Sequence, residues 1–147
     1  MQTMEILTQW VEDSKVQESI DDLGDDIRRV GSLHAKYIQI YFEEKARLIK
    51  LKSNQAKLKK LRWEYWDGKL PPETQKQMNW EPQALKLIKA EIPMYMESDE
   101  VMEEINMKVD LQIEKVAVID SIIKTIAQRG YQLKSVLDWE KYKSGGF

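Results

Sequence analysis

Between positions 45 and 62 the chain carries Lys45, Arg47, Lys50, Lys52, Lys57, Lys59, Lys60 and Arg62, with no acidic residue among them. Trp63, Tyr65 and Trp66 follow directly, then Gly68 and Lys69, with Trp80 further on. A row of cations neutralises a row of phosphates, and aromatic faces beside it stack unpaired bases, each stack contributing ~1–3 kcal/mol. That pairing is the chemistry of a single-stranded nucleic-acid site. Duplex readout would require base-edge donors such as Asn or Gln organised on a recognition helix, and none is organised that way. A solvated helix face is the plainer reading of a charge run. It is weakened here because residues 45–62 themselves contain no carboxylate to form i,i+4 pairs along the charge run. Two other readings of the segment remain open. Aromatics at a helix end also serve as core or interface anchors, and a basic amphipathic helix ending in Trp also suits a membrane surface. Against the membrane reading, the apolar side of this helix is needed for the fold and lipidation signals are absent.

Other chemistries find little support. The 147 residues include no cysteine and one histidine, His34. Disulfides, Cys–zinc sites, Fe–S clusters and thiol nucleophiles are excluded together. The glycines are scattered, so no phosphate-cradling loop exists. Asp21, Asp22, Asp25 and Asp26, or Glu100, Glu103 and Glu104, could hold a divalent cation, but such runs without ordered ligand spacing read as solvated. Paired carboxylates for hydrolysis lack a pocket signature. His34 reads as a satisfied core or interface histidine. No enzymatic activity, cofactor or metal is expected.

The net charge of −2, from 23 Lys+Arg against 25 Asp+Glu, conceals a block structure. Residues 1–26 hold eight acids against Lys15, and residues 91–120 hold nine against Lys108 and Lys115. The cationic segment lies between them.

The elements that must position this segment are helices. Ile27, Val30, His34, Tyr37, Tyr41, Glu44, Leu48, Leu51, Gln55 and Leu58 step by three and four, predicting an amphipathic helix from about Asp25 to Tyr65. At about 100° per residue, six of the eight cations fan over one face opposite Leu48, Leu51, Leu58 and Leu61, while Arg47 and Arg62 fall within the leucine arc. Pro71, Pro72, Pro82 and Pro93 make 68–97 an irregular connector, with a short helix or strand possible at Ala84–Ile92. Met102, Ile105, Val109, Gln112, Val116, Ile119, Ile123 and Ile126 form a second stripe. Ser98, Asp99 and Glu100 supply its start and Arg129-Gly130 its stop, and a shorter helix follows with Leu133, Val136, Leu137 and Tyr142 on one side. Leu7, Trp10, Val11, Ile20 and Leu23 suggest one or two short acidic N-terminal helices. The Ser144-Gly145-Gly146-Phe147 tail reads as mobile. No alternating pattern competes, and no apolar run approaches the ~18–20 residues of a membrane span.

The second long helix carries more apolar surface than one seam needs, because Val101, Leu111, Ile113, Val118 and Ile122 flank its stripe. Self-association is the expected use of the excess, with Ile105, Val109, Val116, Ile119, Ile123 and Ile126 as the oligomerisation residues. Consecutive Ile seam positions favour assemblies larger than a dimer.

Lys60-Leu61-Arg62-Trp63-Glu64-Tyr65-Trp66-Asp67-Gly68 resembles the signature of the UvsY-type recombination mediators of T-even-like bacteriophages, a Lys-x-Arg leader, an acid, paired aromatics and a glycine. Lys124-Thr125-Ile126-Ala127-Gln128-Arg129-Gly130-Tyr131 resembles a second motif of the family, and length and charge order agree over nearly the whole chain. One departure is that Lys69, Leu70 and two prolines follow the glycine where the family has a further Arg-Gly. The resemblance implies a non-catalytic protein of the infected host's cytoplasm that binds single-stranded DNA and assembles as a six- or seven-membered ring through its C-terminal helical region. It implies as partners a UvsX-type phage recombinase and the phage single-strand-binding protein, which the recombinase replaces on DNA during recombination, repair and recombination-dependent replication.

The expectation is therefore an all-α protein forming one compact unit. Two long amphipathic helices, shorter helices and a Pro-containing connector assemble into a ring-like homo-oligomer. Residues 1–97 would form the DNA-binding region with its connector and 98–147 the oligomerisation region. The DNA site would comprise Lys50, Lys52, Lys57, Lys59, Lys60, Arg62, Trp63, Tyr65, Trp66 and Lys69, with Lys60 and Arg62, carried over from the family motif, as the principal phosphate contacts. The alternative is a non-catalytic helical adaptor whose basic helix docks an acidic protein partner.

Overall fold

The computed structural model of the protein describes residues 1–15 and 20–145. Among the described residues five helices follow in order: α1 (Thr3–Asp13), α2 (Ile20–Trp66), α3 (Pro72–Gln77), α4 (Ile92–Glu97) and α5 (Glu100–Lys143). No strand occurs among the described residues, and the chain is all-α. The side chains of Ile20, Asp21, Asp22 and Leu23, and the end of the Ser144-Gly145-Gly146-Phe147 tail, lie outside the described residues. No described helix is long and apolar enough to cross a membrane.

Two compact units share the long helices. The first comprises Met1–Ala46 with Ile113–Phe147, and the second comprises Arg47–Gln112. The core of the first unit joins three helices. Ile6 of α1, Tyr37 and Ile40 of α2, and Ile119, Ile122 and Ile126 of α5 form one buried cluster, bordered by Trp10, Val30 and Leu33. Spacings of three and four put each set on one stripe, so each helix buries a single face. The Trp10 and Tyr37 rings meet edge to face with centroids 5.6 Å apart, an arrangement aromatic quadrupoles favour. Within this apolar seam Glu44 is only 2% exposed and pairs with Lys115, Nζ to Oε2 at 3.6 Å.

Several expectations are corrected here. Of the seam residues expected to meet a neighbouring copy, most are already covered within the chain itself. Val109, Val116, Ile119 and Ile126 are buried, and Ile105 and Ile123 are half-buried. For Ile119 and Ile126 the cover comes from α1 and α2, which supply the neighbours that a chain with few helices was expected to lack. The stop expected at Arg129-Gly130 does not occur either, because α5 continues to Lys143 as one helix. A mid-helix glycine costs about 1 kcal/mol relative to Ala. Gly130 is there for proximity, since a Cβ at this position would stand 3.2 Å from Val30 Cγ1. Arg129, expected as a C-terminal cation, instead donates to the Ser14 carbonyl and lies 5.6 Å from the Trp10 ring centre.

In the connector, neither short helix fills the Ala84–Ile92 window, which α4 meets only at its last residue. Pro71 precedes α3 and Pro72 opens it, where a missing N–H has no intrahelical partner to lose. The second, α4, begins only at Ile92, and 81–88 has no regular structure.

The end of α1 is held by Asp13. Its carboxylate accepts from Lys36 Nζ at 2.6 Å and from the buried Tyr37 hydroxyl at 2.9 Å, while Arg29 Nη2 donates to its carbonyl at 3.0 Å. Burial pushes this carboxyl up, but the hydrogen bonds of Lys36 and Tyr37 and the charges of Lys36 and Arg29 outweigh it and hold it below its ordinary value. Burial and the Asp13 carboxylate together push the Tyr37 hydroxyl well up, so it stays a donor. A carboxyl depressed in the folded state stabilises the protein above its unfolded value, and the stabilisation fades as pH falls through the folded value. Asp13→Asn should therefore lower the urea midpoint at pH 7, and the two proteins should converge toward pH 3.

Candidate nucleic-acid interface

Along α2 in the second unit, residues 47–66 alternate a leucine-lined inner face with a cationic outer one. Leu48 is buried, and Leu51, Leu58 and Leu61 are half-buried. Lys50, Lys52, Lys57, Lys59 and Lys60 are exposed, and no carboxylate among the described residues lies within ion-pair distance of any of them. Lys52, Lys59 and Trp63 follow one another at helical spacing on the same face, and the Trp63 indole is 40% exposed. The uncompensated lysines and one open aromatic face thus share a surface.

The remaining predicted residues are placed differently. Arg62 is 6% exposed and Asp99 3%. The guanidinium grips the carboxylate with two parallel bonds, Nε to Oδ2 at 2.7 Å and Nη2 to Oδ1 at 3.0 Å. Its plane lies against aromatic rings, with Cζ 4.2 Å from the Tyr65 centroid and 4.6 Å from that of Trp80. Trp66 Nε1 donates to Asp99 Oδ2 at 3.0 Å, and Asp99 Oδ1 accepts the Val101 backbone N–H at 2.9 Å, capping α5. The expected phosphate contact at Arg62 is thus not presented to solvent. Position in the leucine arc decides its direction, and a buried guanidinium must be matched by a carboxylate. Tyr65, buried, donates its hydroxyl to the Glu81 carbonyl at 2.9 Å, and the half-buried Trp66 ring meets Tyr95 at 5.1 Å. Lys69 is exposed but pairs with Asp67 at 3.3 Å.

Gly68 adopts φ +75°, which lets the chain turn out of α2 while the N–H groups of Lys69 and Leu70 satisfy the Glu64 carbonyl. The connector is then stitched to this end of the helix by amides. Gln75 Nε2 donates to the Leu70 carbonyl at 2.9 Å, its Oε1 accepts the Gln83 N–H at 3.1 Å, and Gln83 Nε2 reaches the Trp66 carbonyl at 3.1 Å. Asp99, Gln75 and Gln83 escape a reading of the sequence in these roles. Asp99 was visible as a cap, but its pairing with a residue 37 positions earlier has no local signal.

Beside the cationic face, α2, α4 and the start of α5 border an open cleft of about 580 Å³. Trp63, Lys59 and Gln55 line it from α2, Met96 and Glu97 from α4, and Asn106 from α5. Among the described residues no group of three or more His, Asp or Glu side chains is disposed to hold a metal ion.

A family model described as recombination, repair and ssDNA binding protein UvsY matches residues 9–146. Crystal structures of the recombination mediator protein UvsY of bacteriophage T4 share the fold. The lattice type II form superposes with a TM-score of 0.82 at 13% identity, covering 98% of each chain. The type IV form gives 0.81 at 13% identity, over 97% of this chain and 99% of that one. No curated protein matches by sequence.

Removing Asp99 would leave a buried guanidinium without its counter-ion, the Trp66 N–H without an acceptor and α5 without its cap. Asp99→Ala should cost about 3–5 kcal/mol in a urea titration, and Arg62→Lys should be poorly tolerated because an ammonium lacks the planar fork.

Proposed function

Because the chain belongs to the UvsY family of recombination, repair and single-stranded-DNA-binding proteins, we propose that it is a recombination mediator whose outer α2 face binds single-stranded DNA. The observation that carries this reading is the set of exposed lysines, Lys50, Lys52, Lys57, Lys59 and Lys60, with no carboxylate partner among the described residues, beside the open Trp63 ring. Such a face attracts a flexible polyanion through counter-ion release and holds it without reading sequence. In this proposal Arg62, Tyr65 and Trp66 act as positioning residues that hold the end of α2, and Lys69 contributes at the margin.

The protein would act without catalysis, in the cytoplasm of the infected host cell. It would help a UvsX-type recombinase displace the phage single-strand-binding protein from DNA, in recombination, repair and recombination-dependent replication. Residues 98–147 would carry assembly into a hexamer or heptamer. With most of the α5 seam covered internally, Met107, Leu111, Tyr131, Val136 and Trp139, between 48% and 77% exposed, are among the outward apolar side chains that a neighbouring copy would cover. Multivalency would then turn weak protomer contacts into tight binding.

The test separates charge from fold. Lys59→Ala with Lys60→Ala should retain the wild-type melting temperature, weaken binding of mixed-sequence oligonucleotides, and flatten the plot of log K against log salt by about 1.4. Unchanged low-salt affinity in fluorescence anisotropy would overturn the assignment and favour an adaptor that docks an acidic protein.

A further inference from the structure

The cleft beside the cationic face has the composition of a base site rather than of a gap between helices, and the geometry points to a pocket that takes one unstacked nucleobase of the bound strand. This inference rests on the single-strand-binding reading and deepens it. The volume of about 580 Å³ lies within the range of small-ligand sites and leaves room for a base with its sugar. One wall is the Trp63 indole, 40% exposed and therefore free to stack, and Met96 supplies a soft, polarisable apolar surface on the α4 side.

The polar groups are arranged for an edge. Gln55 Nε2 donates to Asn106 Oδ1 at 2.7 Å, joining α2 to α5 across the cleft. Each amide then has spent one of its four hydrogen-bonding places. Gln55 keeps a carbonyl oxygen and Asn106 keeps an amino group, one acceptor beside one donor. Every nucleobase presents donors and acceptors along its edge, so such a pair recognises a base without selecting one strongly. Glu97, also lining the cleft, adds an acceptor for a ring N–H or an exocyclic amine. The same carboxylate repels phosphate, which orients a nucleotide with its base inward. Lys59 is the matching cation on the α2 side, exposed and without a carboxylate partner among the described residues. Cation for the backbone, indole for the ring and amides for the edge thus surround one space.

The pocket predicts a dependence on bases that a phosphate-only surface lacks. Binding of the full-length protein to a labelled mixed-sequence strand is compared with binding to a strand of the same length containing abasic sugar-phosphate units. Wild type should prefer the intact strand by about tenfold or more. Trp63→Leu removes the stacking face, and Ala56→Leu, at an exposed helical position lining the cleft, fills its mouth without changing charge. Each should weaken binding of the intact strand about tenfold, leave the abasic strand and the salt slope unchanged, and so erase the preference. Trp63→Phe should restore most of it. If the two Leu variants keep the wild-type preference, or lose affinity for both strands equally, the pocket is overturned while the lysine face stands. If wild type binds neither strand at low salt, the single-strand reading itself fails.

Discussion

The second unit depends on a buried pair, Arg62 on α2 and Asp99 at the head of α5. A guanidinium and a carboxylate taken out of water destabilise unless nearly every donor and acceptor is used. Here the carboxylate is heavily engaged, while the guanidinium commits two of its five N–H donors to it. Two bonds join the ions, Asp99 also accepts from the Trp66 indole and caps α5, and the guanidinium faces the Tyr65 and Trp80 rings. One carboxylate therefore fixes where α5 begins, and one arginine organises the aromatics that close the end of α2. The outer lysines benefit indirectly, because the helix that displays them is clamped from its inner side.

This arrangement divides the labour within a short motif. Lys60 and Arg62 are two residues apart and chemically alike, yet they stand on opposite sides of a helix and do opposite things. One is exposed and has no carboxylate partner among the described residues, and the other is sealed against a carboxylate. Trp63 and Trp66 divide in the same way, with Trp63 more open to solvent and Trp66 engaged with Asp99 and Tyr95.

Much of this was legible in the amino-acid sequence because helical spacing is a local property. The stripes through Tyr37, Leu48, Ile119 and Ile126 marked the inner faces of α2 and α5, and the leucine arc already placed Arg62 inward. The expectation that Arg62 meets phosphate set residue type above that angle, and the angle prevailed. What was not legible depended on partners distant in the chain. Nothing near Gly130 says that Val30 lies against it, so the local pattern suggests a helix-ending glycine where a close-packing one sits. Nothing near Gln55 announces Asn106. Paired prolines signal a break in structure, although Pro72 at a first helical position starts a helix as readily as it stops one.

Glu44 interrupts the apolar stripe of α2 in the first unit, and Lys115 of α5 answers it at 3.6 Å. A seam of Ile and Tyr alone would tolerate displacement of one helix along the other by a turn, since one apolar contact resembles the next. With a charged pair inside the seam, such a slip would part the buried carboxylate from Lys115, although the Met1 amino group, 3.6 Å away, also faces it. The pair therefore acts as an alignment key. It adds little to the strength with which the helices hold together, and much to the uniqueness of the position in which they do so.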